Sequence, residues 1–272
     1  MKVIKGIFHF YIHSSIHVAL SVVSLVLITC AYLRLEWDLT LLLFVFFASV
    51  SGYNFIKYAT VAGWKHYSLN PMLRAIQIFS FLSFLGMCRL VFMMPLHVIY
   101  LLIVSFLLVF AYVFPLRGKN FRSIPYFKIP IVALVWAMVT VFLPQIYEDN
   151  RIETQTVILF VQRFLLIAVL MLPFEIRDLK FDELKLHTVP QLIGVKNTKL
   201  LGVVLLAVII FIELFFLESR FVWIACFVYF LTAAFLLNAK KNQSFYYTAF
   251  WVEAIPVFWI GLIILGQMYL YR

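Results

Sequence analysis

Uninterrupted apolar stretches recur along the whole of this sequence, many of them reaching the roughly 18 residues needed to cross a hydrocarbon layer about 30 Å thick as a helix. Backbone facing lipid must satisfy its own hydrogen bonds, so such stretches are either helices or strands of a closed barrel. Barrel strands alternate polar with apolar residues and need only about 10 of them. The runs here are longer and uniformly apolar, which selects helices. Composition agrees: of 272 residues, 65% are hydrophobic and 12% charged, too few polar groups to coat a soluble domain of that size.

The pattern predicts an all-α polytopic membrane protein, a bundle of about nine transmembrane helices in a single domain over 1–272. The expected helices are 7–33, 38–62, 71–94, 96–115, 127–145, 155–177, 198–217, 221–239 and 248–270. Pro95 puts a turn between the third and fourth, because the residue before a proline is pushed out of helical conformation. The first stretch lacks a small-residue cleavage site and reads as a retained span. Cys30, Cys88 and Cys226 are isolated within apolar runs and point to neither a disulfide framework nor a zinc site.

Charge tests this count. With nine crossings, sixteen Lys and Arg residues fall on the side of the N-terminus, and five (Arg34, Arg89, Arg151, Arg220, Arg272) on the other. The asymmetry obeys the positive-inside rule and predicts a cytoplasmic N-terminus, with the N-terminal-side loops also cytoplasmic. Topology and anionic lipid account for the net charge of +10, so nucleic acid is not an expected partner.

Four of the twelve acids fall in FEIRDLKFDELK: Glu175, Asp178, Asp182 and Glu183. If the sixth helix continues past Arg177, Asp178 and Asp182 share a face. Two carboxylates so placed suit magnesium, a hard cation that takes oxygen ligands and shares them with substrate phosphates. Arg177, Lys180 and Lys185 stand ready for further phosphate oxygens. Spacing alone is more readily satisfied by a solvated loop with i,i+4 ion pairs, since DxxxD is a common accident.

Other polar residues stand out against the apolar background. His9, His13 and His17 recur every four residues; a polar seam facing the bundle, with Ser14, Ser15 and Ser21, fits better than a metal site. Glu213 and Glu253 are acids inside predicted helices, where an unpaired charge is costly. Each is neutral, paired, or lining for a bound molecule. Asn54 and Tyr58 fall on one face of the second helix, positioned either to line a pocket or to bond another helix.

The stretch EIRDLKFDELKLHTVPQLIGVKNTKLLG resembles the second aspartate motif of the UbiA superfamily of intramembrane prenyltransferases, with Ile176, Arg177, Asp178, Asp182, Thr188, Pro190 and Gly194 matching in order. PLRGKNFRSIPYFKIPIVALVWAMVTVFLP is similar to that family's fourth loop and fifth helix. The resemblance implies transfer of an isoprenoid chain from its diphosphate to a lipophilic, possibly aromatic, acceptor. It also implies Mg2+ bound by two Asp-rich motifs, in loops 2–3 and 6–7, and an active site open to the cytoplasm. Metal ions and cations then stabilise the leaving diphosphate, and an apolar pocket protects the allylic cation from water.

The first motif departs from the family pattern. Asn54 matches, but the three Asp positions hold Phe55, Tyr58 and Ala62, while Lys57, Lys65 and His66 add positive charge. Lys57 either replaces part of a bridging metal or is a helix-end lysine reaching for the interface. The expected site is Asp178 and Asp182 as catalytic metal ligands, with Asn54, Lys57, Tyr58, Arg177 and Lys180 binding substrate or diphosphate. The alternatives are an inactive lipid-binding or scaffolding protein of the same fold and a small-molecule transporter.

Overall fold

The computed structural model describes residues 2–62, 71–113, 127–180, 188–217 and 219–270, and every regular element among them is helical. In chain order these are α1 (Lys2–His13), α2 (Ile16–Leu33), α3 (Leu39–Ala62), α4 (Pro71–Val91), α5 (Leu96–Val113), α6 (Lys128–Ala137), α7 (Leu143–Glu148), α8 (Thr154–Asp178), α9 (Val189–Phe215), α10 (Val222–Asn238) and α11 (Ile255–Leu270). A π turn, Met138–Phe142, joins α6 to α7 in one crossing, and a second, Tyr247–Val252, leads into α11.

Eight helical stretches are long and apolar enough to span a membrane, and α10 is a shorter apolar helix of 17 residues. At about 1.5 Å per residue α10 is roughly 26 Å long, a mismatch that local thinning of the bilayer absorbs. With it, the described residues hold nine candidate crossings, the number the sequence predicts.

Burial decides which helices form the centre. In α2, 61% of the spanning window is buried, against 11% in α4 and 17% in α5. Leu25 and Ile28 of α2 enter a core with Leu166 and Val169 of α8, Leu206 of α9, Tyr229 of α10 and Trp259 of α11. Phe81, Phe106, Trp223 and Phe230 remain on the outside, as lipid solvates such rings as well as a protein interior does.

Two of the helices differ from the sequence expectation. The first predicted helix, 7–33, is two helices broken at Ser14–Ser15, and Ser15 adopts the left-handed conformation at φ 63°. That conformation is uncommon for a residue with a side chain. Here the Ser15 hydroxyl donates to Asn54 Oδ1 at 2.7 Å, and Asn54 Nδ2 donates to the Ser14 carbonyl at 2.9 Å. Tertiary hydrogen bonds offset what helical propensity loses.

The helix expected at 198–217 begins at Val189 instead. The Thr188 amide donates to Gln191 Oε1 at 2.9 Å, and Pro190 occupies the first turn, where a missing N–H costs nothing. The helix is then kinked at Gly194, at φ 77° and ψ 161°, a region essentially restricted to glycine. The π turns have a related origin. Pro144 and Pro256 cannot donate to the carbonyls one turn earlier, and the helix widens ahead of each.

A buried polar network fastens the half of the bundle far from the N-terminus. Glu213 of α9 accepts from Tyr32 of α2 at 2.9 Å, Gln162 of α8 at 2.6 Å and Tyr229 of α10 at 3.0 Å. Arg163, also on α8, donates from Nη1 to the Leu25 carbonyl at 2.9 Å and lies 6.0 Å from the Trp259 ring centre. Arg163 and Glu213 are both 0% exposed. Glu213 is thereby a structural acid tying four helices together. Arg163 stands out in the sequence only as the one basic residue deep inside a predicted span.

Candidate functional site

Alternating helix directions bring the ends of α3 and α8, the start of the ninth crossing and the α1–α2 break to the same side of the bundle. Of the predicted site residues, Asn54, Lys57, Tyr58, Arg177, Asp178 and Lys180 lie on that side among the described residues. Asn54 is 3% exposed, and both ends of its amide are engaged. Oδ1 accepts from Ser15, while Nδ2 donates to Ser14 and, at 2.8 Å, to Ser80 Oγ on α4. Its amide serves helix–helix bonding. One turn on, Tyr58 donates to the His13 carbonyl at 2.9 Å, and Lys57 Nζ reaches the same carbonyl at 3.4 Å. The end of α3 thus grips the last turn of α1.

On α8, Arg177 Nε pairs with Asp178 Oδ1 at 2.7 Å, and Nη1 donates to Thr248 Oγ1 at 2.6 Å. The guanidinium also lies 5.4 Å from the ring centres of Phe174 and Phe245. Glu175 is not part of an exposed acidic run; Lys128 pairs with it at 2.7 Å, and its side chain is 2% exposed.

Helix α8 ends at Asp178, followed by a turn at 179–180 that carries exposed Lys180. A continuing helix is therefore not what aligns Asp178 with Asp182, and Asp182 lies outside the described residues, as do Glu183, Lys185, Lys65 and His66. Asp178 Oδ2 makes no hydrogen bond to protein among the described residues.

The histidines form a seam and do not converge. His9 stacks on His13 at 3.9 Å, and His13 stacks on Phe245 at 5.2 Å. The break at Ser14–Ser15 diverts His17, whose Nδ1 meets the Tyr11 hydroxyl at 2.7 Å and whose Nε2 meets the Phe250 carbonyl at 2.9 Å. His13, ahead of the first span, is held down to about 4 by burial, then by Lys57 and His9. The Tyr11 phenol is raised, by burial and then by Glu253.

Glu253 joins this group only in three dimensions. It enters at the end of the second π turn, within electrostatic reach of Lys57 on α3 and Arg177 on α8. Its spacing from those residues in sequence carries no signal of this. An acid within an apolar run is the only clue, and Thr248, the anchor for Arg177, offers none.

The fold defines a class: an integral, multi-pass, all-helical membrane protein with the UbiA fold. A UbiA homolog from Archaeoglobus fulgidus, bound to GPP and Mg2+, has the same fold with a TM-score of 0.62 at 14% identity, over 93% of this chain and 96% of that one. A digeranylgeranylglyceryl phosphate synthase structure gives a TM-score of 0.55 at 15% identity, over 97% of each chain. No family model and no curated protein sequence matches.

Proposed function

We propose that this protein is an intramembrane prenyltransferase that moves an isoprenoid chain from its diphosphate to a lipophilic acceptor. The observation that carries the reading is the pairing of Arg177 with Asp178, within electrostatic reach of Lys57, at one end of a bundle whose fold is shared with a structure bound to GPP and Mg2+. Ionising an allylic diphosphate leaves a strongly anionic group. Cations held at a dry boundary stabilise that charge without moving a proton.

The donor chemistry fits one magnesium ion rather than a metal cluster. Among the described residues no group of three His, Cys, Asp or Glu side chains could hold a metal. Magnesium needs only one or two carboxylates when phosphate and water complete its shell. Asp178, through its unbonded Oδ2, and Asp182 are the proposed ligands, and the ion would supply Lewis-acid neutralisation of the leaving group. Lys57 supplies fixed positive charge where Phe55, Tyr58 and Ala62 stand in place of acids. Arg177 is oriented by Thr248 to meet phosphate oxygens, and Lys180 extends the basic rim. Tyr58 and Asn54 act as positioning residues, holding the end of α3 against the α1–α2 break.

The charge asymmetry of the loops supports a cytoplasmic N-terminus and a site open to that side. A second reading, an inactive protein of the same fold that binds isoprenoid lipid, draws on the structural use of the Asn54 amide and the reduced acid count. Purified protein in liposomes, given labelled geranylgeranyl diphosphate and a membrane lipid extract, separates the two. Chelator-sensitive formation of a labelled lipid is expected. Binding of the diphosphate with neither release nor transfer would establish the inactive reading.

A further inference from the structure

In the half of the bundle far from Lys57 and Arg177, three hydrogen-bond donors meet no protein acceptor. Arg163 of α8 commits Nη1 to the Leu25 carbonyl at 2.9 Å, while its Nε and Nη2 have no hydrogen-bond partner among the described residues. The indole Nε1 of Trp259, on α11, is the third such donor. Arg163 is 0% exposed and Trp259 1%, so neither bulk water nor a lipid headgroup reaches them from outside. Within a hydrocarbon layer an unbonded donor, above all a charged one, is costly enough to demand an acceptor.

The two side chains are neighbours. The guanidinium carbon lies 6.0 Å from the Trp259 ring centre. Trp259 in turn packs edge-on against Tyr32 of α2 and Tyr229 of α10, with ring centres 6.1 and 5.6 Å away. Both phenols donate their protons to Glu213, as the Gln162 amide does. The phenol oxygens therefore keep lone pairs free. A carboxylate offers about four acceptor positions, and these three bonds leave Glu213 with one. Surplus donors on Arg163 and Trp259 thus stand beside surplus acceptors on Tyr32, Tyr229 and Glu213, and no hydrogen bond among the described residues joins the two sets.

A ligand that closes this gap must accept on one side, donate on the other and be small. Two hydrogen bonds end to end span up to about 6 Å, which matches the separation of guanidinium and indole. Charge fixes its class. Arg163 and Glu213 carry opposite charges, so a halide would leave a net negative charge inside the bundle, whereas water is neutral and both donates and accepts. We propose that Arg163, Trp259 and the Tyr32–Glu213–Tyr229 cluster hold an ordered internal water. It accepts from the guanidinium and the indole and donates to the phenol or carboxylate oxygens. Two separately buried ions become one water-bridged pair across α2, α8, α9, α10 and α11. The inference does not depend on the prenyltransferase reading, since no member of the site belongs to the charged end of the bundle.

The test is nuclear magnetic resonance on the full chain, deuterated and with isotope-labelled tryptophan, in lipid nanodiscs, reading magnetisation transfer from water to indole N–H protons. The chain has six tryptophans, and the resonance missing in Trp259→Phe is the one required. That proton is expected to show a direct dipolar cross-peak to a long-lived water. Arg163→Met is expected to lose the cross-peak while the resonance itself remains. If Arg163→Met does not fold, combining it with Glu213→Gln leaves no charge behind and makes the same comparison. No cross-peak in the wild-type protein overturns the proposal, as does an undiminished one without Arg163. Replacing chloride by gluconate is expected to leave the Trp259 resonance unmoved. A saturable shift on returning chloride identifies a bound anion and overturns the assignment to water.

Discussion

Arg177 Nη1 and Thr248 Oγ1 lie 2.6 Å apart, and this bond joins the last turn of α8 to the π turn that carries Glu253 into the bundle. The same guanidinium holds Asp178 through Nε at 2.7 Å. One side chain thereby ties the proposed metal ligand to the π turn at the start of the last crossing. A residue at the end of a helix would otherwise fray toward solvent.

Removal of either proposed metal ligand gives the first prediction. Asp178→Asn and Asp182→Asn should each abolish magnesium-dependent transfer while the protein still reconstitutes and unfolds as wild type does. The check is labelled product formed across a magnesium titration. Full activity in both variants would sink the metal assignment.

Lys57 should matter for binding. A charge-assisted contact to phosphate contributes about 1.5–3 kcal/mol, so Lys57→Met should weaken binding of a non-ionising prenyl diphosphate analogue by roughly 10- to 100-fold. A lysine that merely reaches for the membrane interface would leave affinity unchanged. Equilibrium binding in detergent decides between them.

The Arg163–Glu213 network should be a matter of stability. Glu213→Leu leaves a buried cation uncompensated, for which about 3–5 kcal/mol is the usual loss. Adding Arg163→Met should recover part of it, since no buried charge then remains. Denaturant or thermal unfolding in detergent of the two single variants and the double variant measures the coupling.

Gly194→Ala should destabilise the protein by about 1–3 kcal/mol, because alanine cannot adopt φ 77°, ψ 161° without strain. Nothing lies within 4 Å of the added methyl group, so the effect is one of backbone conformation and not of crowding. A melting temperature equal to wild type would contradict it.

Acidification should loosen the α1–α2 break. His13 is folded with its value lowered to about 4, by burial first and then by Lys57 and His9. A base so lowered binds fewer protons folded than unfolded. Its contribution is therefore complete above the ordinary value of about 6.5 and is lost as pH falls from there toward 4. Hydrogen exchange at the amides around Ser14 and Ser15 should quicken over that window, and His13→Gln should remove the response.

The nine crossings were legible in the sequence because each is a matter of length and apolarity, properties a segment has by itself. The likeness to UbiA proteins was legible for a similar reason, from the stretch read as a second aspartate motif. Its residues follow one another, from Ile176 to Gly194, and the likeness to UbiA proteins it announced holds at the level of the fold. The early start of α9 was readable in principle from Thr188, Gln191 and Pro190. Polar residues such as Lys196, Asn197 and Lys199 concealed it by imitating a loop.

What the sequence determined was a membrane-spanning helical bundle and the end of it that gathers charge, since both follow from transfer of side chains between water and hydrocarbon. Tertiary structure alone decided that Asn54 spends its amide on the Ser14–Ser15 break, that Glu213 gathers Tyr32, Gln162 and Tyr229 from three other helices, and that Arg177 reaches Thr248. Those outcomes depend on which helices pack together and how each is rotated. In lipid, where apolar faces are nearly interchangeable, that rotation is set by a few polar contacts between residues far apart in the chain.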